Sequence, residues 1–334
     1  MDLFMNSKKI AVTVFLCLVI ALICFEAVNA QTGIPLQPAS TSSPGIEEIN
    51  LPITVLTEKG NVVTELPQER FSVLLDNSPQ PITSFSNQDK PASIAILIDL
   101  SGSVREKFAN KFDIIKTSLG TFIQASNPSN EYAIYTFSRG AQLEMDWTEN
   151  NSVVLNKINQ INVEKKVGVT SLFDACIDAI QSLRGRKNRK RIVLVISDGI
   201  DNNSKYKDSD VKKLSHEILA PIFFVNVGAM RTGSIPKIAG GTLDLQAQAT
   251  SENIASASGG VGFLPNTQSE LSDSFKRIVN YIRHQYLIEI NPTSNSQDGK
   301  KHRLQIRISL PPDAPKEMKN LKLLYSQFYI AKKQ

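Results

Sequence analysis

The stretch Ser93-Ile94-Ala95-Ile96-Leu97-Ile98-Asp99-Leu100-Ser101-Gly102-Ser103 runs without a break from five apolar residues into a loop of carboxylate and hydroxyl side chains. A short strand with no polar member has no wet face, so it predicts a strand covered on both sides. The same order returns at Ile192-Val193-Leu194-Val195-Ile196, followed by Ser197-Asp198-Gly199-Ile200-Asp201. Ile222–Val227 and Glu131–Phe137 supply further strands, with Gln142–Trp147 as a hairpin edge beside the latter. Between the strands lie segments with helical periodicity. Phe108, Phe112, Ile115, Leu119 and Phe122 fall on one helix face,. Val154, Ile158 and Ile161 mark a second helix, Leu172–Leu183 a third, Val211, Leu214 and Ile218 a fourth, and Leu271, Phe275, Ile278 and Ile282 a last long one. Apolar strands alternating with amphipathic helices predict a doubly wound, mostly parallel α/β sheet spanning residues 92–285.

The flanks read differently. Residues 46–91 and 286–334 carry short strands and turns,. In Arg303–Leu310, Leu304, Ile306, Ile308 and Leu310 alternate with Arg303, Gln305, Arg307 and Ser309, the pattern of a strand with one buried and one solvated face,. Leu321–Ile330 reads as one more strand. Neither flank can build a core alone. The expectation is one small all-β, sandwich-like domain made from both flanks, with the α/β domain inserted between them.

Residues 1–30 read as a signal peptide. Lys8 and Lys9 precede the apolar run Ile10–Phe25, and Val28-Asn29-Ala30 offers small residues for cleavage,. Residues 31–45, rich in Pro, Ser, Thr and Gln, read as a flexible linker,. This predicts a secreted, periplasmic or cell-envelope protein with no membrane span once the signal is removed. Cys176 is the single cysteine beyond residue 30 and lies on the apolar face of a helix, which predicts a buried small hydrophobe,.

A net charge of +5, with 21% charged residues, is not the footprint of a nucleic-acid binder,. Arg184-Gly185-Arg186-Lys187-Asn188-Arg189-Lys190-Arg191 concentrates positive charge between a helix and a strand, away from the strand ends that carry Asp99 and Asp198. It could meet an anionic polymer, but a solvated loop is the preferred reading. Pro236–Ala249 reads as a long polar loop near the same strand ends as the carboxylates,.

In an open α/β sheet, ligands bind beyond the carboxyl ends of the strands. Three loops reach that place, carrying Asp99, Ser101 and Ser103, then Thr170 of Gly168-Val169-Thr170-Ser171, then Asp198. All five side chains offer oxygen, the chemistry of a hard cation that prefers six oxygen ligands. Two carboxylates balance a double charge and leave the ion able to accept an anionic ligand. Asp201 is assigned to a turn or the surface rather than to the ion.

Asp99, Ser101, Ser103, Thr170 and Asp198, with GVTSLFDA at 168–175 and IVLVISDG at 192–199, resemble the metal-ion-dependent adhesion site (MIDAS) of von Willebrand factor A (vWA) domains. LPQERFSVLLDNSPQPITSFS at 66–86 and the tail from Gln285 resemble the VWFA-related family described from acidobacteria. The chain departs from that family at Asn77-Ser78, where an Asp-Gly-type turn is usual, and at its terminal SQFYIAKK. The resemblance implies a Rossmann-like vWA fold, a bound Mg²⁺ with Mn²⁺ or Ca²⁺ as alternatives, a protein ligand that presents a carboxylate, and adhesion or protein–protein interaction without catalysis.

Enzyme readings fit less well. A phosphatase of the haloacid dehalogenase type needs a second carboxylate two residues after the first, where Ser101 stands. His216-Glu217 lacks the second histidine of a zinc protease, and Ser101 is not in a G-x-S-x-G elbow,. A structural envelope component with a vestigial metal site is the other alternative.

Overall fold

The computed structural model describes residues 48–102, 112–162, 169–228, 230, 242–292 and 298–332. Residues 47–334 cluster as a single unit. The strands are β1 (Ile49–Leu56), β2 (Phe71–Leu75), β3 (Ser78–Gln80), β4 (Ile82–Ser86), β5 (Ala92–Asp99), β6 (Glu131–Phe137), β7 (Ala141–Thr148), β8 (Lys190–Ser197), β9 (Ile222–Asn226), β10 (Gly262–Phe263), β11 (Tyr286–Ile290), β12 (Lys301–Ile308), β13 (Lys322–Leu324) and β14 (Phe328–Ile330). The α-helices are α1 (Phe112–Ala125), α2 (Asn151–Gln160), α3 (Leu172–Ser182), α4 (Asp208–Ile218), α5 (Thr242–Ser258) and α6 (Gln268–Arg283).

The central sheet has the order β10-β9-β8-β5-β6-β7. Every neighbouring pair in it is parallel except the hairpin of β6 and β7. Side-chain alternation divides each strand between two cores. Ile94, Ile96 and Ile98 of β5, with Ile192, Leu194 and Ile196 of β8, pack against Leu119 and Phe122 of α1, Val154 of α2 and Phe275 of α6. Ala95, Leu97, Val193 and Val195 face the other way, onto Cys176 and Ile180 of α3, Val211 of α4 and Ile254 of α5. Both faces are therefore covered, as the unbroken apolar runs require. Cys176 is fully buried, and burial pushes its thiol up to about 12, which keeps it protonated and inert,.

The remaining strands form two four-stranded sheets, β13-β1-β11-β4 and β14-β12-β2-β3. Each mixes strands from the two flanks. β1 is antiparallel to β11 and β13, and β12 is antiparallel to β2 and β14. Ile49, Leu51 and Ile53 of β1, Val73 of β2, Ile288 of β11 and Ile306 of β12 share one core. The fold is thus a mixed α/β structure, a mostly parallel central sheet with antiparallel sheets built from the chain's two flanks.

Two sequence expectations need correction. Leu321–Ile330 is not one strand. The chain leaves one sheet after Leu324, which pairs with Thr54, and enters the other at Phe328, which pairs with Arg303. The 236–249 stretch is not a loop over its full length, because Thr242 onward is helical. Residues 236–241 lie outside the described residues, as do Phe108 and Ser103.

Candidate metal centre

From β5 the chain adds β6 and β7 on one side of the sheet, then places β8, β9 and β10 on the other. The winding reverses between β5 and β8, and loops leaving two such strands diverge and open a crevice at their carboxyl ends. Asp99 is the last residue of β5, Ser197 the last of β8, and Asp198 follows it. Asp99, Ser101, Thr170 and Asp198 are all buried, none more than 4% exposed.

Asp99 is held at both carboxylate oxygens. Its Oδ1 accepts the backbone N–H of Ser101 at 2.8 Å, which turns the loop back over the strand end. Its Oδ2 accepts the Ser197 hydroxyl at 2.5 Å. The same Ser197 oxygen accepts the N–H of Gly199 at 3.0 Å. Asp198 Oδ1 accepts the N–H of Ile200 at 3.2 Å. Gly199 has φ +80°, and a Cβ there would lie 2.5 Å from Ser251 Oγ and 3.0 Å from the Ala247 carbonyl. Only glycine lets the loop after Asp198 pass so close to α5.

Thr170 arrives on the loop before α3. Its N–H donates to Asn202 Oδ1 at 2.7 Å, and its carbonyl accepts the N–H groups of Asn202 and Asn203 at 3.0 and 3.1 Å. Asp201 Oδ1 accepts from Leu172 N at 2.8 Å and Phe173 N at 3.4 Å, and from the Ser204 hydroxyl at 2.5 Å. Ser171 holds the N-cap position of α3 without a capping bond of its own. Its hydroxyl donates instead to the Arg139 carbonyl at 2.8 Å. The first-turn donors of α3 are therefore satisfied from the loop that follows β8, those of Leu172 and Phe173 by Asp201 and that of Asp174 by the Ser204 hydroxyl at 3.1 Å.

Burial, and then the neighbouring charge of Asp198, push Asp99 up to about 7, against the hydrogen bonds from Ser197 and Ser101,. Two carboxylates withdrawn from water beside each other call for positive charge. Among the described residues no group of three or more His, Cys, Asp or Glu side chains is placed to hold a metal ion. A cation here would rely on hydroxyl oxygen as well as carboxylate. The donor set of Asp99, Asp198, Ser101 and Thr170 is all oxygen and fits a hard divalent ion rather than a soft one.

Of the five residues singled out by sequence, Asp99, Ser101, Thr170 and Asp198 lie on loops that meet at this crevice; Ser103 lies outside the described residues. Ser197, Asp201 and Asn202 were not singled out as parts of the site. Ser197 fixes Asp99, and the other two fasten the Thr170 loop to the Asp198 loop. The signal for them was the density of short polar residues in Ser197–Asn203, which exceeds what a plain turn needs,.

Residues 94–200 match the von Willebrand factor type A domain family, so the chain carries a vWA domain. No curated protein sequence matches it. Among solved structures, the conserved hypothetical protein BatB from Bacteroides thetaiotaomicron is 15% identical, over 56% of this chain and 97% of that one, with a TM-score of 0.43. Proximal thread matrix protein 1 from the mussel byssus, solved with a zinc-occupied MIDAS motif, is 18% identical over 62% of this chain and 49% of that one, with a TM-score of 0.49. A von Willebrand factor type A protein from Catenulispora acidiphila is 11% identical over 86% of this chain and 75% of that one, with a TM-score of 0.45.

Proposed function

We propose that this chain is a metal-dependent binding protein. In this reading Asp99, Ser101, Ser103, Thr170 and Asp198 together hold one divalent cation, Mg²⁺ in the first place and Mn²⁺ or Ca²⁺ as substitutes. A protein partner presents a carboxylate to it. The observation that carries the reading is the pair of buried carboxylates, Asp99 and Asp198, beside buried hydroxyls at the switch point of an open sheet. Bound there, the cation would supply an acceptor position for an anionic oxygen.

The chain's own residues prepare the place. Ser197 and the Ser101 N–H orient Asp99 and keep it from rotating toward solvent. Asn202 and Asp201 fix where the Thr170 loop ends and α3 begins. The carboxylates and hydroxyls are used for holding, and Ser101 stands where a phosphatase would carry its second acid, so binding rather than catalysis is the reading. Export to the envelope or exterior is part of it. Residues 1–30 would be removed after Ala30, and among the described residues no helix is long and apolar enough to cross a membrane.

Calorimetry with Mg²⁺ and Mn²⁺ tests the metal, and capture of partners from envelope or host extracts with Mg²⁺, repeated in EDTA and with Asp99→Ala, tests the mechanism. Saturable metal binding that Asp99→Ala removes, with loss of the captured partner in EDTA, is the expected result. The reading fails if neither ion binds at millimolar concentration with partner present, or if the partner binds Asp99→Ala in EDTA as well as wild type. N-terminal sequencing of the exported protein should begin at Gln31; an intact Met1 in the membrane fraction would replace the signal with an anchor.

A further inference from the structure

The basic run 184–191 is more than a solvated loop. Arg184 pairs with Glu217 at 2.9 Å, Arg186 with the buried Glu131, Lys187 with Glu149 and Arg189 with Glu289. Arg186 also lies over the Trp147 ring, 4.7 Å from its centroid. Lys190 is fully buried and donates to the Ile282 carbonyl at 3.1 Å. Lys187–Lys190 and the connection between β4 and β5 line the same space. The two segments wall a cavity of about 580 Å³ whose floor is Leu287 and Glu289 of β11. It lies where β8 begins, at the opposite end of that strand from Ser197 and Asp198.

The charge in this cavity is one-sided. Lys90, Lys187, Arg189 and Lys190 line it with a single carboxylate, Glu289. Glu149, which pairs with Lys187, and Asp89, which pairs with Arg283 and acts on Lys190, lie outside the lining and still leave the cations in excess. Lys90 is exposed and has no ion-pair partner among the described residues. A second, independent observation is Asn188. It lines the same cavity, is 8% exposed, and its Nδ2 has no hydrogen-bond partner. A buried N–H without an acceptor is costly, and such groups in native folds have a reason. Ser84, Ser86 and Gln88 add neutral groups that can meet hydroxyls.

We propose that this cavity, between the β4–β5 connection and the Lys187–Lys190 wall, binds a small hydroxyl-rich anion, a sugar carrying a phosphate or a carboxylate. The volume lies within the range of small-ligand sites. Lys90 meets the charge, with Lys187 beside it in its pair with Glu149; a rotation of the Asn188 amide brings its unpaired N–H to an anionic or hydroxyl oxygen, and the serines and Gln88 meet the remaining hydroxyls. The site is separate from the metal centre and does not depend on it.

Calorimetric titration of the protein in EDTA, with glucose 6-phosphate, galacturonate and glucose as probes, tests the inference. Binding of either anion, with glucose at least about tenfold weaker, supports it, and which anion binds tells phosphate from carboxylate. The side-chain amide resonances of Asn188 should shift on titration. Lys90→Glu, a change at an exposed side chain, should weaken the anion about tenfold or more by reversing a charge beside it, and Asp99→Ala should leave it unchanged. No binding of either anion at about 10 mM, far below any useful affinity, overturns the proposal. So does equal binding of glucose, or undiminished binding by Lys90→Glu. Binding that appears only when Mg²⁺ replaces EDTA places the anion at the metal centre and overturns this site alone.

Discussion

The Ser197 hydroxyl donates to Asp99 Oδ2 at 2.5 Å, joining the last residue of β8 to the last residue of β5 across the point where the sheet reverses its winding. This contact orients a buried carboxylate whose other oxygen is already held by the Ser101 N–H. Ser197→Ala should leave that carboxylate one donor short. A hydrogen bond to a charged group contributes about 1.5–3 kcal/mol. Mg²⁺ affinity should therefore fall about tenfold or more, with the fold retained, as read by calorimetry and circular dichroism. Unchanged affinity would mean that Ser197 serves packing only.

Asp201 joins the loop after β8 to the first turn of α3. Its Oδ1 accepts two backbone N–H groups of that helix. Loss of a capping acceptor costs about 0.5–2 kcal/mol. Asp201→Ala should lower the urea midpoint accordingly and also weaken metal binding, because the same loop positions Thr170 through Asn202. Asp201→Asn, which keeps an acceptor oxygen, should recover most of the stability. Equal losses in both variants would point to charge rather than capping.

The central sheet was legible because Ile94–Ile98 and Ile192–Ile196 have no polar member, and burial on both faces is the only stable outcome for such strands. The loops carrying Asp99, Thr170 and Asp198 followed from the rule for strand ends. What sequence could not show is register and partner. Nothing in Leu321–Ile330 tells that the chain changes sheets between Leu324 and Phe328, since both halves suit a strand. Thr242–Ala249 reads as loop because Ala247, the buried position described there, is small and Leu245 is exposed, which gives almost no hydrophobic periodicity,. Ser197 and Asp201 looked like ordinary turn residues because their bonds are to residues far away in the sequence.

His302 lies between two carboxylates, with Nδ1 at 2.7 Å from Asp76 Oδ2 and Nε2 at 3.1 Å from Asp298 Oδ1. Burial opposes its charge, but the hydrogen bonds to Asp76 and Asp298 outweigh that and raise its pKa above 6.5. The folded state therefore binds this proton more tightly than the unfolded one. The stabilisation is full below about pH 6.5, the ordinary histidine value, and is lost as pH rises through the raised value. Urea midpoints measured across that window should decline with pH more steeply in wild type than in His302→Gln, because the raised Asp99 titrates there too and its slope is common to both proteins,. An imidazole that titrates at or below the ordinary value by NMR would contradict this.

His216, on α4, behaves in the opposite way. Ser326 donates its hydroxyl proton to the Phe328 carbonyl at 2.7 Å, so the 2.8 Å contact between Ser326 and His216 Nδ1 has the imidazole as donor. Burial, with smaller contributions from Lys301 and Lys212, lowers the His216 pKa to about 4. Its contribution is present above about pH 6.5 and is lost as pH falls toward 4. His216→Gln should flatten this acidic arm of the stability profile relative to wild type. Equal acid sensitivity in both proteins would assign the arm to other groups.

Strand β1 sits between β13 and β11, and β2 sits between β12 and β3. The C-terminal strands thus have their main partners in a segment more than two hundred residues earlier. Deleting residues 49–86 removes β1 to β4 together, strips β11 of both neighbours and leaves β12 only β14. A strand without neighbours has no ladder to protect its amides. Hydrogen exchange in Tyr286–Ile290 and Lys301–Ile308 should then become fast. The effect should reach the end of α6, because the Tyr281 hydroxyl donates to the Gly60 carbonyl at 3.2 Å and Thr54 Oγ1 to the Tyr281 carbonyl at 3.5 Å. Strands β5 and β8 bond to each other and to β6 and β9, none of which is deleted, so their amides should stay slow. Full protection of Tyr286–Ile290 in the truncated protein would show that the C-terminal strands fold without the N-terminal ones, and the interleaved sheets would then contribute nothing to holding the two flanks together.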